Sequence, residues 1–388
     1  MEPISLYFHI PFCIHRCSYC DFNTYAGLDH LIPEYVDSLC KEVDWIYQQT
    51  QTNLPVHTIF FGGGTPSLIP AHEYEKIFKC IHTYFHVSEY AEVSLEANPG
   101  TVSPDYLKAI QSLGFNRISF GMQTANPHEL LMLERQHNFW DVIAAVSWAR
   151  KVGFTNINLD LIFGLPDQSM ESWLRSLSSA VSLKPDHLAL YALSIEHGTP
   201  FEHWMNKGLF SPSNPDLAAD MYEQASIFLK KESYAQYEVS NWAKTTPNCL
   251  LASHENPQLA CQHNLQYWHN RPYLGFGAGA HGFANGFRTE NVRTPKAYIQ
   301  RLSQPIEKTN PLNARGFPYT PACINFHFVD KGTEIGETLM MGLRLIREGV
   351  TEESFNLRFG QSLYETFHKE ITRLEKLKIG RASCRERV

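Results

Sequence analysis

The chain has 388 residues, enough for two or three domains, and its 43% hydrophobic, 13% aromatic and 19% charged residues exclude a disordered protein. A formal net charge of −7 argues against a nucleic acid as the main partner. The uncharged stretch Leu54 to His72 holds three prolines and three consecutive glycines, so it does not predict a membrane span. The first residues form neither a basic region nor an apolar run, which predicts a cytoplasmic protein without a secretory signal.

Short apolar runs rich in β-forming residues alternate with longer helical patterns over the first two-thirds of the chain. Six strands separated by helices predict right-handed crossovers and a parallel sheet. Gly, Pro and polar residues follow several of the strands, and in α/β barrels the loops in that position form the active face. The predicted strands are Ile4–His9, Thr58–Phe61, Glu92–Ala97, Arg117–Met122, Asn156–Ile162 and His187–Leu193, and the predicted helices are Pro33–Gln49, Ala71–Tyr84, Pro104–Leu113, Phe139–Val152 and Met170–Ser182.

The pattern loosens after about residue 211, and a small helical unit follows near the C-terminus. The last segment, 379–388, is rich in Arg and nearly free of apolar residues, and its back-translation matches a sequencing adapter. We interpret it as a sequencing artefact rather than a genuine basic tail. The other predicted features are a helix over Asp216–Lys231, a strand over Tyr237–Trp242, a glycine-rich turn over Gly275–Gly282, a helix over Glu334–Arg347, a helix N-cap at Val350–Glu353 and a helical pattern over Ser362–Lys378.

Three of the nine cysteines, Cys13, Cys17 and Cys20, are clustered directly after the first predicted strand, with the spacing C-x3-C-x2-C. Three thiolates on one tight loop can bind three irons of a cubane [4Fe–4S] cluster and leave the fourth iron open. A structural zinc site would need a fourth ligand, which His15 or a distant cysteine could supply, so zinc stays the alternative. The other six cysteines are scattered and predict no disulfide framework.

The string YFHIPFCIHRCSYC, which begins at Tyr7, resembles the cluster loop of the radical S-adenosylmethionine (radical SAM) superfamily. It is most similar to the branch that contains oxygen-independent coproporphyrinogen III dehydrogenase and a haem chaperone. The resemblance implies that the open iron binds the amino and carboxylate groups of S-adenosylmethionine (SAM). Reduction of the cluster would then release methionine and a 5′-deoxyadenosyl radical, which the protein keeps away from water.

Other motifs match the superfamily in the same order along the chain. They are GGGTP, which contains Gly64 and Thr65, and EANP, which begins with Glu96. By itself, a triple glycine indicates only a turn, and a single charged residue indicates only a surface ion pair. The resemblance implies that SAM contacts Tyr7, Tyr19, Gly64, Thr65 and Glu96.

Gln123, Arg135 and Asp160 match further SAM-contacting positions of the dehydrogenase. An arginine can hold a carboxylate with two hydrogen bonds, and an aspartate at a strand end can hold ribose hydroxyls. In the dehydrogenase these positions would contact a second SAM molecule. Whether one or two SAM molecules bind here stays open.

Two local features favour the haem chaperone over the dehydrogenase. Phe22 stands where the dehydrogenase pattern carries an additional cysteine. The string HNLQYW, from His263 to Trp268, fits the HNxxYW signature, which is associated with haem binding in the haem chaperones. A histidine can ligate haem iron, while Tyr267 and Trp268 offer flat surfaces to a porphyrin and Asn264 completes the signature.

Alternatives to this interpretation of the signature stay open. The string is also compatible with a buried aromatic turn around a hydrogen-bonded histidine. His269 and His281 are competing candidates for an iron ligand. The segment before the signature, 248–262, is longer than is usual in the family and could shift its position.

We therefore expect an α/β protein consisting of a partial (β/α)6 radical SAM barrel (1–215), a C-terminal α+β extension with the HNxxYW signature (216–310) and a small helical domain of the family's C-terminal type with its end missing (311–378). The expected cofactors are a [4Fe–4S] cluster, SAM and haem, and the expected function is haem delivery to acceptor haem proteins such as respiratory enzymes. The alternative is radical decarboxylation of coproporphyrinogen III. Peripheral membrane association during delivery and a homodimer stay open.

Overall fold

The structure is a computed structural model that describes residues 2–211, 214–245, 256–304 and 316–377. Part of the long segment before the HNxxYW signature and the predicted artefact at 379–388 lie outside these residues. The strands are β1 (Ile4–Ile10), β2 (Phe12–Cys13), β3 (Tyr25–Ala26), β4 (Leu54–Gly63), β5 (Phe85–Ala97), β6 (Arg117–Gln123), β7 (Asn156–Phe163), β8 (His187–Ala192), β9 (Tyr234–Glu238), β10 (Asn241–Lys244), β11 (Tyr273–Phe276), β12 (His281–Ala284), β13 (Phe287–Asn291) and β14 (Cys323–Phe328).

Helices connect the strands of the first half and form most of the C-terminal end. Among the described helices, none combines the length and the apolar character that a membrane span requires. The helices are α1 (Ile32–Thr50), α2 (Ala71–Tyr84), α3 (Pro104–Ser112), α4 (Pro127–Met132), α5 (Phe139–Val152), α6 (Met170–Ser182), α7 (Pro200–Asn206), α8 (Pro215–Lys231), α9 (Gln262–Trp268), α10 (Pro295–Ser303), α11 (Lys331–Gly342), α12 (Glu352–Phe359), α13 (Leu363–Thr366) and α14 (His368–Lys376), with short 3-10 turns at Asp29–Leu31, Pro66–Leu68 and Pro99–Thr101.

Twelve strands form one sheet in the order β14-β13-β12-β11-β1-β4-β5-β6-β7-β8-β10-β9. The six strands from β1 to β8 in this order are parallel, which confirms the predicted partial barrel. Their residues are mostly buried, as expected for parallel strands covered on both faces. The remaining two strands, β2 and β3, pair only with each other.

The predicted bounds of the five helices in the first half agree with the structure to within a residue or two, and three of these helices begin at a side-chain cap. Ser103 and Ser169 accept backbone N–H groups at the starts of α3 and α6. Asn138 and Asp141 form a capping box on α5, which ends at Gly153 in the left-handed region. β4 and β5 begin earlier than predicted because Leu54–Val56 pairs with 85–87, ahead of the main apolar runs.

The second half differs more from the predictions. The strand predicted over Tyr237–Trp242 is interrupted by the turn of a hairpin between β9 and β10, where the Glu238 carboxylate accepts the Ser240 N–H. The helix predicted over Glu334–Arg347 already ends at Gly342. In both cases tertiary contacts hold the backbone of the turn, since the Leu190 N–H donates to the Ser240 carbonyl at 2.8 Å and the Ile346 N–H to the Tyr237 carbonyl at 3.1 Å.

The predicted glycine-rich turn at 275–282 contains the end of β11 and the start of β12. β11 pairs in parallel with β1, with Tyr273 opposite Ser5 and Phe276 opposite Phe8. Three antiparallel strands then extend the sheet, and the last of them, β14, belongs to the 311–378 range. The extension thereby lies directly beside the strand that leads into the cysteine loop.

A buried carboxylate on α1 holds this extension in place. Glu42 is fully buried and accepts hydrogen bonds from the Gly277 N–H (2.9 Å), Asn291 Nδ2 (2.8 Å), the Tyr298 hydroxyl (2.6 Å) and the Thr320 hydroxyl (2.7 Å). Three of these donors lie on the extension, and the fourth, Thr320, lies in the 311–378 range just before β14. Burial raises the pKa of Glu42, and the four donors oppose that rise.

We expect Glu42→Ala to lower the free energy of unfolding by about 3 kcal/mol or more, because several buried donors lose their acceptor together. Chemical denaturation monitored by circular dichroism measures this loss. Lys41→Ala, at the exposed neighbouring position on the same helix, is the matched control and should change stability by less than about 0.5 kcal/mol. Equal losses in the two variants would contradict a specific role for the carboxylate.

Candidate functional site

The three clustered cysteines line one cavity of about 450 Å³ at the carboxyl ends of the parallel strands. Each is half-buried and has a free thiol. The Thr65 hydroxyl donates to Cys13 Sγ and Arg135 Nη1 donates to Cys17 Sγ, both at 3.5 Å. The Cys20 N–H donates to the Cys17 carbonyl at 3.1 Å, which closes a turn between the second and third thiols.

The arrangement of the thiols bears on the choice between a cluster and zinc. Within the described ranges, no three His, Cys, Asp or Glu side chains converge closely enough to hold a single metal ion. A structural zinc site needs four converging ligands, whereas the thiolates on a cubane each bind a different iron. The three thiols that line this cavity match in number the protein ligands of a cubane with one open iron, and a structural zinc site would need one ligand more.

The glycine loop after β4 packs against the cysteine loop. The Gly64 N–H donates to the Ile10 carbonyl (2.7 Å) and the Thr65 N–H to the Phe12 carbonyl (2.8 Å). A Cβ on Gly64 would lie 2.7 Å from that same Phe12 oxygen. Gly63 has a φ of +115°, and a Cβ there would lie 2.5 Å from the His9 ring. The glycines are thus required by close backbone packing beside the cysteines.

Gly63→Ala is expected to disturb this packing strongly, because it combines a left-handed backbone with a clash against a buried ring. We expect an unfolding free energy lower by about 2 kcal/mol or more and a reduced capacity to bind SAM, measured by denaturation and equilibrium dialysis. Gly100→Ala is the control, since a Cβ on this cavity-lining glycine would meet its nearest neighbour at an ordinary 3.6 Å. Normal SAM binding by Gly63→Ala would contradict the packing argument.

Glu96, near the end of β5, lies on the wall of the same cavity. Its Oε2 accepts the Gly63 N–H at 3.0 Å. Burial and the nearby Asp160 carboxylate raise the pKa of Glu96 to about 7, while the Gly63 hydrogen bond and Arg117 oppose the rise. The glycine loop is therefore hydrogen-bonded to Glu96, whose pKa lies near neutral pH.

The structure also brings Gln123, Arg135 and Asp160 to this cavity, together with Tyr19. β6 has an irregular register with β7 between Gly121 and Gln123, and Gln123 has a φ of +64°. Arg135 Nη2 donates to the Gly121 carbonyl at 3.0 Å. Arg135, Gln123, Glu96 and Asp160 thus give this cavity a guanidinium, an amide and two carboxylates among its polar groups, which suit an amino acid and ribose hydroxyls.

The sequence predictions missed a chain of buried polar groups behind the cavity. Asp160 accepts hydrogen bonds from the Ser119 hydroxyl (2.8 Å) and from Asn158 Nδ2 (2.7 Å), and burial raises its pKa. The Asn158 Oδ1 pairs with His187 Nδ1 at 2.6 Å, and His187 Nε2 pairs with the Tyr237 hydroxyl at 2.8 Å. Polar residues inside otherwise apolar strands were the signal that could have revealed this network.

The HNxxYW residues all lie on α9, and none of them lines the first cavity. His263 is 1% exposed, with Nδ1 2.9 Å from the Thr58 hydroxyl and Nε2 2.9 Å from the Tyr267 hydroxyl. Burial, His57 and Arg117 lower the pKa of His263 to about 3, so its ring is neutral. Both ring nitrogens are therefore already used inside the protein.

The remaining members of the signature have different surroundings. Tyr267 packs edge-to-face on Tyr273 with ring centroids 4.7 Å apart. Trp268 is half-buried beneath the Arg344 guanidinium, which lies 4.4 Å from its ring centroid, and Asn264 is half-buried on α9. The signature residues thus have separate surroundings, and Tyr267 lines a second cavity.

That cavity, of about 660 Å³, is also lined by the cysteine loop. Tyr7, which was expected beside Gly64 and Glu96, lines this second cavity and not the first. Its hydroxyl lies 3.0 Å from His9 Nδ1. The two cavities share four lining residues, all on the cysteine loop: Arg16, Asp21, Phe22 and Thr24.

The parallel sheet and the cysteine cavity have the arrangement of a radical SAM protein. The sequence model of the Radical SAM superfamily matches residues 7–180, and that of the HemN C-terminal domain matches residues 329–380. A solved structure described as coproporphyrinogen III oxidase (HemN) from Escherichia coli, a radical SAM enzyme, shares the fold with a TM-score of 0.75 at 21% identity, over 97% of this chain and 83% of that one.

Curated relatives indicate which family within the superfamily the chain belongs to. The heme chaperone HemW of Bacillus subtilis is 37% identical over 92% of this chain and 88% of its own length. The HemW proteins of Lactococcus lactis and Escherichia coli are 34% and 39% identical, over 97% and 77% of this chain and 91% and 76% of their own. The chain belongs to the HemW family of the radical SAM superfamily.

Proposed function

We propose that this protein is a haem chaperone that binds a [4Fe–4S] cluster, SAM and haem and delivers haem to acceptor haem proteins. The observation that carries the proposal is that three free thiols, a glycine loop and Glu96 line one cavity, while a second cavity with five aromatic side chains shares part of the cysteine loop. The names of the curated relatives support the chaperone activity.

Cys13, Cys17 and Cys20 would hold the cluster. When bound, the cluster supplies an open iron for the amino and carboxylate groups of SAM and the electron that cleaves its sulfonium bond. The backbone around Gly64 and the carboxylate of Glu96 would hold the methionine part of SAM. Thr65 keeps Cys13 in position through its hydroxyl.

In the same cavity, Arg135 would hold a carboxylate, while Gln123 and Asp160 would hold hydroxyl groups. Tyr19 also lines this cavity. Whether these residues contact part of one SAM molecule or a second one is decided by the stoichiometry of bound SAM. Equilibrium dialysis on cluster-loaded protein measures that number.

The second candidate function is oxidative decarboxylation of coproporphyrinogen III. The observation that favours it is that Gln123, Arg135 and Asp160, the positions matched to the dehydrogenase, line one cavity. Against it stands Phe22, which replaces the dehydrogenase's additional cysteine and is 63% exposed at the edge of both cavities.

One preparation distinguishes these functions. After anaerobic cluster reconstitution, haem titration should give a Soret band at one haem per chain, and bound haem should transfer to an apo haem protein. Incubation of the same protein with SAM, a reductant and coproporphyrinogen III should give no protoporphyrinogen IX. Conversion of that substrate would establish the second function, and failure to bind haem would refute the first.

The remaining aspects of the proposal concern the cellular setting and the division of the chain. Acceptors would be haem proteins such as respiratory enzymes, reached from the cytoplasm by a peripheral contact with the membrane, and a homodimer is compatible with this role.

We propose the ranges 1–215, 216–310 and 311–378 as barrel, extension and C-terminal domain. Limited proteolysis followed by mass spectrometry tests these boundaries.

A further inference from the structure

The second cavity has a histidine with no partner. His281, at the start of β12, is exposed on the cavity wall, and no group in the described part of the chain hydrogen-bonds its ring. His9 lines the same cavity, but both of its ring nitrogens are paired, with the Tyr7 hydroxyl at 3.0 Å and the Asn23 carbonyl at 2.9 Å. The cavity therefore offers one free imidazole.

The wall around His281 is largely aromatic. It consists of four tyrosines and one phenylalanine: Tyr7, Tyr25, Tyr267, Tyr273 and Phe22. Three of the phenol groups are fixed by hydrogen bonds, with Tyr7 paired to His9, Tyr267 to His263 and Tyr25 to Asn23. A preorganised aromatic wall suits a flat, apolar ring system.

Two arginines give the cavity positive charge. Arg16, on the cysteine loop, donates to the Cys20 carbonyl at 3.2 Å and forms no ion pair with an acidic side chain of the described residues. Arg293 is 71% exposed and pairs with Glu290 at 3.2 Å. Asp21 is the acidic residue on the wall. The guanidinium of Arg16 thus remains available to a carboxylate ligand.

We infer that this second cavity is the haem site and that His281 is the axial ligand of the haem iron. The inference rests on the proposed function and assigns the place in the protein where the haem binds. The volume of about 660 Å³ lies within the range of about 300–1,000 Å³ that is typical of ligand cavities. The porphyrin lies against the tyrosines, and its propionates extend toward Arg16 and Arg293.

The other candidate histidines are engaged elsewhere. His263 is buried with both nitrogens hydrogen-bonded, so its role is to position Tyr267 on the cavity wall. His269 Nε2 pairs with Glu348 at 2.8 Å. His281 has neither constraint, and it lies on β12, next to the strand that pairs with β1. Haem at this position contacts the cysteine loop, which also lines the SAM cavity.

The test compares haem titrations of cluster-loaded wild type with His281→Ala, His263→Gln and His327→Ala. His263→Gln retains a donor and an acceptor for Thr58 and Tyr267, and His327 is an exposed control on β14. We expect His281→Ala to bind haem at least about tenfold more weakly and to lose the low-field magnetic circular dichroism of a histidine-ligated haem. Both other variants should keep that spectrum.

A second variant separates ligation from general damage to the cavity. In His281→Gly, added imidazole should restore the wild-type Soret position, which it cannot do if the histidine only supports the fold. A wild-type spectrum in His281→Ala, together with its loss in His263→Gln, would overturn the inference and leave the proposed function intact. If wild type itself binds no haem, the proposed function fails as well.

Discussion

Cys17→Ala is expected to abolish cluster binding almost completely. A cubane needs three protein thiolates to leave one iron open, and Cys17 is the central ligand of the three. Its side chain lies on a cavity wall and is half-buried, so its truncation removes little packing. Arg135, which donates to the Cys17 sulfur, keeps its hydrogen bond to the Gly121 carbonyl. The variant should therefore fold and remain nearly colourless after anaerobic reconstitution.

Iron and acid-labile sulfide analysis measures the loss, and circular dichroism checks that the variant is folded. Cys80→Ala is the matched control, because this half-buried thiol on α2 lies outside both cavities. It should bind a full cluster. A normal cluster in folded Cys17→Ala, or a stoichiometric zinc ion in wild type, would contradict the assignment of the three thiols.

The second prediction concerns the pH dependence of SAM binding. With a pKa raised to about 7, Glu96 is largely protonated at pH 6 and largely ionised at pH 8. The ionised carboxylate is the better acceptor for the amino group of SAM, so binding releases a proton and affinity rises with pH. We expect a Kd about tenfold higher at pH 6 than at pH 8.

Glu96→Gln removes this titration and keeps the size of the side chain. Any titration of SAM itself is common to both proteins, so the ratio of their Kd values isolates Glu96. Calorimetry on the cluster-loaded proteins gives both the affinity and the number of protons released. The same ratio at pH 6 and pH 8 would show that Glu96 does not contact SAM.

Ionisation of Glu96 at higher pH favours SAM binding but destabilises the fold in the absence of SAM. A folded-state pKa above the unfolded value stabilises the fold at low pH, and this contribution is lost as the pH rises through about 7. The Tm of wild type relative to Glu96→Gln should therefore fall from pH 6 to pH 8. An increase over that interval would show that the carboxyl is ionised in the folded protein at lower pH.

The parallel half of the fold could be predicted because its signals are local. Apolar runs mark the strands, and capping residues such as Ser103, Asn138 and Ser169 mark the helix starts. The three thiols were predictable for the same reason, since they lie within eight residues of one another on one loop. Once the strand order is known, Glu96 and Asp160 must face the same end of the sheet.

The extension could not be predicted in this way, because its position depends on contacts between distant parts of the chain. The pairing of β11 with β1 and the acceptance of four donors by Glu42 join segments more than 200 residues apart. The HNxxYW string identifies His263 as a candidate ligand of haem iron, but it does not indicate whether this side chain is buried. Tertiary packing alone buries that ring against Thr58 and leaves His281 open to a cavity, because burial depends on neighbours that are remote in sequence.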